Sequence, residues 1–141
     1  MRAFHLIFGL VMFIAFVLTG QYMDRYHAHL EGMADGPRML MRSRHIYILL
    51  AAMLHLGLGA YYARRRERVR RFLQLFGSGL IAVASVLLVA AFFYEPCLAG
   101  LHTPVSRQGL YTILAGTFLH VLSGLGRDDE EARADEARGA L

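Results

Sequence analysis

The sequence predicts an all-α membrane protein: four antiparallel transmembrane helices in a compact bundle, with both termini on the cytoplasmic side. Three observations predict it. The chain is 56% hydrophobic and 18% charged, with a mean hydropathy of +0.40, whereas soluble domains run at about 45–50% and 25%. Four stretches contain no Asp, Glu, Lys or Arg, and arginine is unevenly distributed among the segments that connect them. At 141 residues the chain makes one folding unit.

The uncharged stretches are residues 3–23, 45–63, 72–94 and 108–126, each 19 to 23 residues long. About 20 helical residues cross a hydrocarbon core, so each stretch is expected to span. The connections between them are short, which favours antiparallel neighbours. Residues 1–126 form the membrane domain. Residues 127–141, with six acids and three arginines, are expected to be a flexible, charged cytoplasmic tail. The apolar run at the start is long for a signal peptide, and Leu18-Thr19-Gly20 is a poor cleavage site, so the first stretch is expected to remain as a span.

Orientation follows from arginine, because cytoplasmic loops carry the excess of positive charge. Arg2, the run Arg64, Arg65, Arg66, Arg68, Arg70 and Arg71, and Arg127, Arg133 and Arg138 lie on one side. Arg25, Arg38, Arg42, Arg44 and Arg107 lie on the other, giving ten against five. The ten mark the cytoplasmic face. The 64–71 run is therefore first an orientation signal and second a contact for anionic lipid headgroups, at about 1 kcal/mol per arginine near the surface. An eight-residue tether between two spans is a poor platform for nucleic acid.

Several chemistries lose their central residues. A lone Cys97 excludes an intrachain disulfide and every CxxC motif, and with them the four-helix thiol oxidases and vitamin K reductases. Small multidrug-resistance transporters exchange protons on a membrane-buried carboxylate, and none of the four stretches has one. The absence of Lys, Asn and Trp reads as coding bias of a GC-rich genome.

What the stretches do carry is histidine, and an ionisable group inside a membrane is a functional lead. His55 lies near the middle of the second stretch and His120 just past the middle of the fourth, at depths matched to within about 3 Å on a 1.5 Å rise per residue. Ala51, Ala52 and Gly59 flank the first, and Gly116, Thr117, Ser123 and Gly124 flank the second. Small faces serve close helix packing or make room for a flat macrocycle with an axial histidine from each side. Four spans with one matched-depth histidine pair resemble the four-helix b-type cytochromes, and the resemblance implies one haem b held by His55 and His120, without the second pair of a two-haem stack. Against it stands a packing role without cofactor, each imidazole bonding a hydroxyl or backbone group. His5 and His45 lie near helix ends without a partner at their depth and read as interfacial. Ser78, Ala82 and Ser85 read as a packing stripe, and Gln74 as polar glue.

On the outer side, His27 and His29 form an HxH pair that holds zinc or copper if the chain there is extended; otherwise both are interfacial. Ser43 is placed to cap the second helix, with 38–44 lying along the headgroup boundary. Pro96 ends the third helix, and Glu95 is expected to pair with Arg42 or Arg44 as a partly exposed bridge worth about 1 kcal/mol or less.

The function expected from these features is that of a small multi-pass protein of a bacterial inner membrane, a non-catalytic accessory or binding component. Its partners are the lipid bilayer and other membrane subunits or a second copy of itself, not nucleic acid. The alternative is electron transfer through the haem b at His55 and His120.

Overall fold

A computed structural model describes residues 1–63, 65, 67–97 and 102–125. These residues are all helical in their regular parts: α1 Arg2–His27, α2 Asp35–Ala60, α3 Arg68–Tyr94 and α4 Pro104–Gly124, with single 3-10 turns at Ala28–Leu30 and Glu95–Cys97. Two of the four, α1 with the turn that follows it and α3, are long and apolar enough to cross a membrane by length and composition.

Charge does not mark where these helices end. α1 runs on through Asp24 and Arg25 to His27, with Arg25 and His27 in its last turn, where cations complement the helix dipole. α2 begins at Asp35, ten residues ahead of the expected start at 45. Asp35 suits the positive end of the dipole, and Pro37 falls in the first turn, where no amide needs an intrahelical acceptor. Residues 38–44 are therefore helical. Ser43 is not a cap: it sits inside α2 with its hydroxyl donating to the Leu40 carbonyl at 3.0 Å, and the N-cap position is Ala34. α3 stops at Tyr94 and a 3-10 turn holds Glu95-Pro96-Cys97, as the proline requires. Proline opens α4, where its fixed φ is already helical.

The α1–α2 connection is tight. Ala28, His29 and Leu30 all have positive φ, at 42°, 57° and 69°, a region that costs an L-residue roughly 1–2 kcal/mol. Leu30, buried in the core at 3% exposure, offsets part of that cost.

α1 packs chiefly on α2, and α3 on α4, with α2 and α3 joining the pairs. Gly9 lies against Leu56, Gly59 against Leu6, and Gly20 against His45. Gly77 and Gly116 bring α3 and α4 together so closely that a Cβ on Gly77 would stand 2.8 Å from the Gly116 carbonyl oxygen. Ile48, Ala51, Ala52, Ile81, Ala84, Leu88 and Phe92 form the apolar centre. The polarity elsewhere is inverted: fully buried positions include His5, His55, Ser78, Ser85 and Glu95, while Ile7, Leu18, Ile46, Val86, Leu114 and Phe118 are more than half exposed.

Candidate functional site

Three histidines meet at one end of the helices. His5 comes from the first turn of α1, and His55 and His120 from the last two turns of α2 and α4. His5 Nδ1 is 2.9 Å from His55 Nδ1, and His5 Nε2 is 2.9 Å from Ser78 Oγ. Ser78 Oγ is in turn 2.8 Å from His120 Nε2. At the other end of the chain, His55 Nε2 lies 3.2 Å from Ser85 Oγ. The result is a continuous line Ser85, His55, His5, Ser78, His120 through four helices. Phe4 and Phe8 close it on the α1 side, their ring centres 6.3 and 4.7 Å from that of His55.

His5 corrects the expectation that it lacks a partner at its depth: it is the central member of the cluster. His55 and His120 both belong to it, yet His5 and Ser78 stand between them. Ser78 and Ser85 are more than a packing stripe, since they supply the hydroxyls that complete the line. His45 is engaged as well, 3.0 Å from Thr19 Oγ1 and stacked on Phe16 with ring centres 4.1 Å apart.

The hydrogen-bonding capacity of these groups closes in two senses with every ring neutral. In one, the Ser78 hydroxyl donates to the Gln74 carbonyl, 2.8 Å away, and accepts from both His5 and His120. His5 Nδ1 then accepts from His55, whose Nε2 accepts from Ser85. In the other, Ser78 donates to His5, His5 to His55 and His55 to Ser85, while Ser85 donates to the Ile81 carbonyl at 2.8 Å. Neither sense leaves a buried ring nitrogen of His5 or His55 unsatisfied, which is what buried polar groups require.

At the opposite helix ends a second polar group is buried. Arg44 Nε donates to Glu95 Oε2 at 2.7 Å, with side chains 2% and 0% exposed. Arg44 Nη1 also donates to the Leu40 carbonyl at 3.1 Å. The Ser106 amide donates to Glu95 Oε1 at 2.8 Å, and the Ser106 hydroxyl to Glu95 Oε2. Burial by itself would raise the Glu95 carboxyl; the bonds from Ser106 and Arg44 outweigh it and hold the group below its ordinary range. Arg44 is one of the two partners expected for Glu95, and Arg42 is exposed. The burial is not expected: this bridge ties α2 to the start of α4 inside the protein.

The remaining candidates separate. His27 ends α1, its ring edge-on to Tyr22, whereas His29 has left-handed backbone and pairs with Asp24 at 2.6 Å. The chain there is not extended, and among the described residues no group of three His, Cys, Asp or Glu side chains is set to hold a metal. Of the arginine run, Arg64 and Arg66 lie outside the described residues, as does the tail from 126 onward. Arg70 pairs with Glu67 at 2.8 Å, Arg68 and Arg71 are exposed, and Arg65 lines a pocket of about 220 Å³ with Tyr62, Gln74, His120 and Ser123. Comparison with protein-family models, curated proteins and solved structures finds no match for the chain.

Proposed function

We propose that the chain is a small four-span protein of a bacterial inner membrane, with antiparallel helices and both termini cytoplasmic, acting as a non-catalytic accessory or binding component. The observation that carries this reading is the inverted polarity. Histidine, serine, arginine and glutamate are buried, while outward positions on all four helices hold Ile, Leu, Val and Phe. Water penalises that arrangement and lipid rewards it. The contacts of residue 6 with 59, 9 with 56 and 20 with 45 support antiparallel packing of α1 and α2. α2 and α4, less apolar overall, turn Ile46, Leu50, Leu114 and Phe118 outward and bury Arg44, His55, Ser106 and Ser123.

The histidines support a packing role. Both ring nitrogens of His55 and Nε2 of His120 are engaged with neighbouring side chains, so a haem b between them would have to break those bonds and displace His5. The exposed apolar faces suit lipid and, beyond it, other membrane subunits or a second copy of the chain.

Reporter fusions test the membrane arrangement. A reporter active only outside the cytoplasm gives signal when fused after Arg38 and none after Arg68. The reverse pattern inverts the orientation, and no signal at any junction removes the spans.

A further inference from the structure

We infer that the pocket at Arg65 is a binding site for a phosphate group. Arg65 sits between α2 and α3 with its Nε buried, and among the described residues that Nε has no hydrogen-bond partner. An orphaned guanidinium donor inside a protein is costly, and the chemistry that satisfies it is an oxyanion bound by the planar fork. The pocket it lines is built for the purpose. Gln74 Nε2 donates to the Ala63 carbonyl at 2.9 Å, and its Oε1 accepts from Tyr62 at 3.3 Å and from the Arg65 amide at 3.5 Å, so one buried side chain fixes the segment that carries the arginine. His120 forms part of the wall; its Nε2 is committed to Ser78, and its Nδ1 has no partner among the described residues. In both senses of the histidine and serine line Nε2 donates to Ser78, so Nδ1 of the neutral ring is an acceptor on that wall, and the donors to an anion there come from Arg65.

Size and charge select the group. A volume of about 220 Å³ falls below the roughly 300–1,000 Å³ of pockets for drug-sized molecules, so it takes one headgroup rather than a whole ligand. Arg68 and Arg71 in the next turn add positive potential that favours an anion, and favours doubly charged inorganic phosphate over a singly charged carboxylate. Leu58 and Val121 on the pocket wall suit the carbon side of a phosphate ester. The same chemistry is offered by the headgroup of an anionic phospholipid and by free phosphate. Only the lipid source rests on the four-span reading.

The test uses the purified full chain in detergent. Inorganic phosphate is titrated by calorimetry, with acetate as comparison, and native mass spectrometry follows reconstitution with phosphatidylglycerol or phosphatidylcholine. Saturable phosphate binding, or retention of phosphatidylglycerol over phosphatidylcholine, is expected, weakened about tenfold or more by Arg65→Gln and unchanged by Arg25→Gln. Arg65→Lys, which keeps the charge without the fork, should recover only part. Phosphate alone identifies a soluble source, and phosphatidylglycerol alone a lipid one. Binding that is absent in both arms, indifferent to Arg65→Gln, or matched by acetate overturns the site. The phosphate arm reads this without reference to the bilayer, and the reporter fusions test the spans separately.

Discussion

Arg44 donates to Glu95 across 2.7 Å with neither side chain reaching solvent, and Ser106 completes the carboxylate's bonds from α4. Breaking one side of such a pair leaves an uncompensated buried charge, at a cost of about 3–5 kcal/mol. Arg44→Met alone should therefore lower the stability of the purified protein by that amount in a denaturant titration. Arg44→Met combined with Glu95→Leu should cost markedly less, because an apolar pair carries no charge to desolvate. Equal losses in the single and double variants would mean that the pair is not coupled.

The same carboxylate sets an acid limit. Its folded value lies below the ordinary 4.5, so its contribution to stability is present above the unfolded value and is lost as pH falls through the folded one. Thermal melting between pH 7 and pH 3 should show the midpoint falling below about 4.5. Glu95→Gln should be less stable at pH 7 and should flatten that acid limb. An unchanged limb would assign the acid sensitivity to other groups.

Close approach of α3 and α4 gives a paired prediction. A Cβ on Gly116 would lie 2.7 Å from Ile81 Cγ1 and 2.8 Å from the Gly77 carbonyl oxygen, whereas one on Gly57 meets nothing within 4 Å. Gly116→Ala should cost about 1–3 kcal/mol through overpacking. Gly57→Ala should be neutral or gain up to about 1 kcal/mol from the better helix former. The comparison by thermal melting is direct, since both are the same chemical change.

The four helices and the turn at Pro96 were legible because hydropathy and proline report on them directly. Their ends were not, since a helix tolerates charge: α2 runs ten residues back through Arg44, Arg42 and Arg38 to Asp35. That offset conceals the site. Measured from the uncharged stretches, His55 appears mid-helix and His5 far from it. Measured from the helices themselves, both lie near ends that face each other. The sequence also showed small residues at 78 and 85 without revealing that a hydroxyl there meets a ring nitrogen. Arg44 and Glu95 were recognisable as partners from opposite charge near one rim, but whether that rim is dry depends on Ser106 arriving from a third helix.

His5 is bonded on both sides, so its replacement should be felt by two neighbours. His5→Leu leaves His55 Nδ1 without a partner and removes one of the three bonds of Ser78, and should destabilise more than His45→Leu, which forfeits a single hydrogen bond to Thr19. His55→Gln, still able to hydrogen-bond, should cost little, because interhelical bonds in membranes average about 0.6 kcal/mol. Unfolding in a graded denaturing detergent ranks the three. His45→Leu proving the worst would move the structural centre away from the cluster.

The central claim is that both nitrogens of His5 and His55, and Nε2 of His120, hydrogen-bond within the line of histidines and serines rather than hold a cofactor. The visible absorption spectrum of protein purified from haem-replete cells tests it most directly. An empty spectrum from 400 nm upward, in oxidised and reduced samples alike, is the predicted result. A Soret band with a reduced-state α-band, both abolished by His55→Ala and by His120→Ala, would mean that the pair ligates iron and would contradict the account.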